Sequence, residues 1–285
     1  MGTESAAGGA RRERWIERAL FASAALSTAV TVGIVVVLAG GALSFFDVVT
    51  LGEFATGTVW APELDPPRYG VLPLLSGTLL VAGVASIIAL PSGIAAGIFL
   101  SELAGRRVRP LLAPTLRVLA GVPTVVYGWF ALSFVNPLLR SVVVGAQVYN
   151  AAAASLVVAI MILPLVASMT AAALRGVPDD LREAAAAVGA TRMETILRVL
   201  VPAARGGILA ACGLALSRAI GETMIVTLVA GALANLTADP LEPVLTMTAF
   251  LVQIGLGDAA GTLAYPSLFA VGGTLFLLTL ALNLA

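Results

Sequence analysis

Lysine and histidine do not occur in this 285-residue chain, and cysteine occurs once, at Cys212. A phosphate-cradling P-loop needs its lysine, so ATP hydrolysis by that route is excluded. Histidine-based triads, histidine-containing zinc sites and lysine Schiff bases are excluded with it, and no metal or other cofactor is expected. A lone cysteine rules out an internal disulfide. Charge is also scarce, at 11% of residues, and it cancels to a net of zero, which argues against a nucleic-acid partner. Energy for any pumping must come from another subunit or from an ion gradient. All sixteen basic residues are arginine, so no single arginine demonstrates a selected guanidinium.

What is abundant is apolar sequence: 59% of residues, with a mean hydropathy of +1.02. Soluble domains carry about a quarter charged residues. Several runs here exceed the ~20 residues that cross a bilayer's hydrocarbon, so the chain reads as an all-α, multi-pass membrane protein in contact with lipid. Residues 1–18 form a polar tail with Arg11, Arg12, Arg14 and Arg18. Residues 19–46 have the basic flank of a signal peptide but about twice its apolar length, and read as a first span. Further spans are expected over 71–100, 111–135, 150–174, 206–233 and 264–285, making six within a membrane domain of residues 19–285. Residues 244–254 are apolar but too short to cross, which suggests an interfacial or re-entrant helix.

Arginine placement sets the orientation. The tail holds four, the connection after the second span three (Arg106, Arg107, Arg109), and the segment between the fourth and fifth spans five (Arg175, Arg182, Arg192, Arg198, Arg205). Only Arg68 and Arg140 fall on the opposite side. The positive-inside rule then places both termini in the cytoplasm of a cell with this protein in its plasma membrane.

Residues 178–202, PDDLREAAAAVGATRMETILRVLVP, are the one long polar-spotted stretch between apolar runs. Pro178 suits a first helical position, and Asp179 and Asp180 suit the positive end of a helix dipole. Gly189 supplies a left-handed stop, and Thr191 with Glu194 forms a capping box that restarts the helix. Pro202 prevents it from running on far. Leu181, Ala185 and Val188 fall on one face of the first helix; Met193, Ile196, Leu197 and Leu200 on one face of the second. The result is an amphipathic elbow between two spans.

Glu183, Ala184 and Ala185, then Gly189, then Val199-Leu200-Val201-Pro202 resemble the EAA loop of ATP-binding cassette (ABC) importer permeases. The valines replace the isoleucine and leucine positions usual before the proline. The resemblance implies a type I importer permease fold whose elbow seats in a cytoplasmic ATPase. The coupling residues it implies are Glu183, Ala184, Ala185, Gly189 and Pro202.

Arg218 and Glu222 fall inside the fifth expected span, where each unpaired charge costs ~2.5–3.5 kcal/mol on the insertion scale. On an uninterrupted helix their i, i+4 spacing puts them on one face. They read either as an ion pair between helices or as an anion site whose acid compensates the arginine. Arg117, ~9 Å inside the third span, reads either as an anion contact or as an arginine snorkelling to the interface. Thr124 and Tyr127, beside Pro123, offer hydrogen bonds to a pathway or ordinary packing.

Arg218-Ala-Ile-Gly-Glu-Thr-Met224, Gly70-Val-Leu-Pro-Leu-Leu-Ser-Gly-Thr78 and Gly121-Val-Pro-Thr-Val-Val-Tyr-Gly128 resemble the permeases of phosphate-specific (Pst-type) importers over roughly 69–231. Met224 favours the C-type over the A-type subunit. The resemblance implies a second, A-type permease, an ATPase dimer and an extracytoplasmic phosphate-binding protein as partners. On the anion-site reading of the intramembrane polar residues, the substrate passage is expected to run along Arg218, Glu222, Thr223, Arg117, Thr124 and Tyr127. Import of sulfate or molybdate, or a secondary transporter relaying protons through Glu222, are the competing readings.

Overall fold

A computed structural model describes residues 3–105, 107–257 and 262–284, with side chains from residue 14 onward. Arg106, Ala285 and the side chains of Arg11 and Arg12 lie outside the described residues. Helix α1 (Thr3–Phe46) carries the first apolar stretch and continues back through the arginine-rich tail. A small cap follows at the end of the bundle where the sequence expects the extracytoplasmic side. It comprises the short helix α2 (Leu51–Thr56) and strands β1 (Trp60–Ala61) and β2 (Arg68–Tyr69), paired antiparallel with Trp60 opposite Tyr69. Phe45, Phe54, Trp60, Tyr69 and Phe250 pack edge-to-face, fixing the cap to the bundle.

Helix α3 (Leu72–Ile98) ends in a π-helical turn, Phe99–Leu103. The third expected span is not one helix. It divides into α4 (Arg109–Ala120), a break at Gly121–Pro123, and α5 (Thr124–Phe130). A π turn, Ala131–Val135, then carries α5 into α6 (Asn136–Val142), where a loop was expected. Pro123 explains the break: it lacks an N–H, and it disfavours helical geometry at Val122. The membrane-length apolar helix is Thr124–Val142, and α4 is an amphipathic helix with no buried residue.

Helix α7 (Ala151–Arg175) is the fourth span and the most buried. It crosses α3 at close range. A Cβ at Gly93 would lie 2.7 Å from Val166 Cβ, and one at Gly97 2.6 Å from Thr170 Cβ, so only glycine permits this approach.

The elbow comprises α8 (Asp179–Ala187), then α9 (Arg192–Glu194), a π turn (Thr195–Leu200) and α10 (Val201–Ala203). Two prolines, Pro137 and Pro202, each follow a π turn by two residues. The wider turn relieves the clash between the proline ring and the carbonyl four residues back. The helix therefore passes Pro202 and breaks at Ala204, where it bends by 70° into α11 (Arg205–Ile220).

The fifth span is also shorter than expected. It stops at Ile220, and α12 (Met224–Val229) begins after Gly221–Thr223. Helix α13 (Met247–Leu256) is the short apolar element expected not to cross, and α14 (Ala264–Leu284) is the last span. Among the described residues, five helices are long and apolar enough to span a membrane, or six if the bent pair is one span.

Candidate functional site

Two features stand out: the elbow, and a polar cavity where two helices break. The elbow follows the local sequence closely. Gly189 takes φ +80° and closes α8: its N–H donates to Ala186 O at 3.0 Å, and the Ala190 N–H donates to Ala185 O at 3.1 Å. That pair of bonds is the Schellman arrangement. Thr191 Oγ1 accepts from the Glu194 N–H, while Glu194 Oε2 accepts from the Thr191 N–H at 2.9 Å. Pro178 lies one position earlier than expected, as the residue flanking α8.

The apolar faces divide in two. Ala185, Ile196 and Leu200 turn inward, the last two forming a small second core with Leu174, Val177, Ala204 and Ile208. Leu181, Val188, Met193 and Leu197 stay exposed, Val188 at 83%, and Glu183, Ala184 and Pro202 are exposed with them. The elbow thus presents an apolar surface left uncovered among the described residues.

Arg182 ties the elbow to two spans, a role that sequence alone does not signal. Its Nη1 donates to Val177 O (2.8 Å) and its Nη2 to Leu174 O (2.9 Å), satisfying carbonyls at the end of α7. The same guanidinium bridges Asp179 at 3.0 Å and Glu102, at the end of α3, at 3.1 Å. The Glu102 hydrogen bond raises the Arg182 pKa above its already high ordinary value, so this clamp stays charged. Arg192 also donates to the Glu102 carbonyl.

The second feature is a cavity of about 430 Å³ lined by Thr124, Arg218, Gly221, Glu222, Thr223 and Met224. It lies where α5 begins and where α11 gives way to α12. The expected helical pairing of Arg218 with Glu222 is not present, because α11 has ended before Glu222. Glu222 is buried, and its Oε1 accepts from the Met224 N–H (3.1 Å) and the Ile225 N–H (3.2 Å), capping α12. Arg218 is exposed in the last turn of α11, and among the described residues it makes no ion pair.

The structure therefore brings Arg218, Glu222, Thr223 and Thr124 together and separates the other two expected pathway residues. Tyr127 donates its hydroxyl to Leu119 O at 2.8 Å, spanning the α4–α5 break. Arg117 lines a different cavity.

Thr248, which the sequence did not signal, and residues of the resembling strings complete the second feature. Thr248 Oγ1 donates to the Glu222 carbonyl at 2.7 Å, and Thr78 Oγ1 accepts from the Met247 N–H at 2.9 Å. A Cβ at Gly77 would lie 2.8 Å from Leu245 O, and one at Gly128 2.6 Å from Leu228 Cδ1. The second-span string thus abuts the segment that leads into α13 at Gly77, the third-span string abuts α12 at Gly128, and the Arg218–Met224 string reaches α13 through the Glu222 carbonyl.

The fold is that of importer permeases. The inward-facing methionine transporter MetNI superposes with a TM-score of 0.55 at 21% identity, covering 75% of this chain and 91% of its own. A bacterial transporter for the acidic polysaccharide alginate gives 0.54 at 17% identity, covering 75% and 76%. Residues 93–284 match the family model described as the inner membrane component of binding-protein-dependent transport systems. The phosphate transport system permease protein PstC of Mesorhizobium japonicum is 34% identical over 280 residues, 90% of this chain and 85% of its own. The probable ABC transporter permease YqgH of Bacillus subtilis is 34% identical over 228 residues, 80% and 74%. The chain belongs to the family of binding-protein-dependent transport system inner membrane components. It is a multi-pass membrane subunit without an ATPase site of its own, working with a separate ATPase and a binding protein.

Proposed function

We propose that this chain is the C-type permease of a phosphate importer, pairing with an A-type permease and receiving phosphate from an extracytoplasmic binding protein. Relatives named as phosphate transport system permeases, 30–34% identical over most of the chain, support the substrate. The observation that carries the reading is Arg218, a guanidinium in no ion pair among the described residues, lining the 430 Å³ cavity beside Thr124 and Thr223. A guanidinium grips phosphate oxygens in a bidentate fork, and the hydroxyls add donors. Glu222 lines the same cavity with its carboxylate held by two backbone N–H groups. Its negative charge keeps anion binding weak enough for release.

Helices α8 to α10 couple this cavity to the ATPase. Glu183, Ala184, Ala185, Gly189 and Pro202 shape the docking surface, and Arg182 passes movement to α3 and α7. The termini and elbow face the cytoplasm, residues 1–18 forming a tail ahead of the membrane domain. The test is Arg218→Gln in the complete complex, with phosphate uptake normalised to assembled protein. Uptake should collapse while assembly and subunit stoichiometry persist. Wild-type uptake would remove Arg218 from the passage.

A further inference from the structure

A second cationic cavity, of about 340 Å³, lies between α4, α7 and the π turn that ends α3. Its lining includes Arg109, Arg117, Arg175 and Ser168, over an apolar floor of Leu100 and Leu116. Three arginines from two helices line this open space, each of them exposed, and no carboxylate lines it. Among the described residues, none of the three is in an ion pair. The nearby acid at the end of α3, Glu102, is engaged by Arg182. Arg117 donates its Nε to Ala113 O at 3.4 Å, a long bond that leaves both terminal nitrogens available.

Helix direction gives the cavity a depth. Arg109 opens α4 and Arg175 closes α7, so both sit at the end of the bundle that carries the elbow. Arg117 and Ser168 lie eight and seven residues further in, about 10–12 Å at the helical rise. An arginine-only chain makes the guanidinium itself uninformative, so placement carries the argument. Like charges that line one concave space with no acid between them raise its positive potential and favour an anion there. The volume is roughly ten times the ~30 Å³ that a water molecule occupies in the liquid, enough for a tetrahedral oxyanion with some of its hydration.

We propose that the Arg109, Arg117 and Arg175 cavity is a phosphate-group site at the cytoplasmic face, separate from the Arg218 cavity and independent of what Arg218 transports. Its ligand is inorganic phosphate or the phosphodiester of an anionic lipid. The lipid's chains would lie along Leu111 and Val118, which are exposed on α4.

The test uses the full chain, assembled with its partner subunits in nanodiscs and carrying Arg218→Gln to silence the passage. One arm titrates radiolabelled inorganic phosphate into discs of phosphatidylcholine alone. The other adds phosphatidylglycerol and counts retained lipid by native mass spectrometry. Each arm compares the starting protein with Arg117→Gln/Arg175→Gln, and with Ser168→Asp, which sets a carboxylate among the guanidiniums. Loss of charge-assisted contacts should weaken binding about tenfold or more. Phosphate binding weakened this way identifies free phosphate as the ligand, and phosphatidylglycerol retention lost this way identifies the lipid. Binding in neither arm, or binding that both variants leave intact, overturns the proposal.

Discussion

Glu222 offers the sharpest test of the structure, because a helical ion pair and a helix cap predict different things. Its carboxylate accepts two backbone N–H groups, one of them buried, at the start of a six-residue helix. Glu222→Ala strands both donors. A buried unsatisfied donor costs ~1–3 kcal/mol, and the half-exposed one adds less, so the expected loss is about 2–4 kcal/mol. Glu222→Gln keeps an acceptor oxygen in place and removes only the charge facing the helix start, an expected loss of about 1 kcal/mol. Arg218→Gln should leave stability unchanged, since among the described residues the arginine is in no ion pair. The double variant should then match Glu222→Gln within ~0.5 kcal/mol. Thermal unfolding of the purified complex, scanned at one rate, gives the order. Recovery of stability in the double variant would mean that the two charges pair, and would refute the cap.

Gly189→Val should cost about 1–2 kcal/mol and lower both complex recovery and coupled uptake. No atom lies within 4 Å of the added Cβ, so the whole cost is the φ of +80°. Gly189→Asn, which tolerates that conformation, should lose less. Arg182→Gln should lower the melting temperature and loosen ATP hydrolysis from uptake. Glu102→Gln should do so more mildly, because the two carbonyl bonds of Arg182 remain. Cysteines at Thr191 and Thr58, in a Cys212→Ala background, should label from opposite faces of the membrane; labelling from one face would overturn the orientation.

What the sequence disclosed was local. The turn at Gly189 and the Thr191–Glu194 box depend on residues within one helical turn of each other, and both were readable. The short helix α13 was readable from length alone. The pairing of Arg218 with Glu222 failed because i, i+4 geometry presumes an unbroken helix. Gly221 ends α11, and the following glutamate is then free to cap the next helix. Gly121 and Pro123 carry the signal of the break, but the apolar length of residues 111–135 masks it. The clamp between Arg182 and Glu102, 80 residues apart, could not be read, because it depends on how α3, α7 and the elbow pack. The placement of Arg109, Arg117 and Arg175 along one cavity was hidden for the same reason.

Phosphate conduction by this chain, driven by a separate ATPase, is the function we propose. Its most direct test reconstitutes the chain with its partner permease, ATPase and binding protein in proteoliposomes and follows labelled phosphate. Uptake should be saturable, require ATP, be undiminished by excess sulfate, and disappear with Arg218→Gln. Uptake of sulfate in preference to phosphate, or phosphate uptake without ATP, would contradict it.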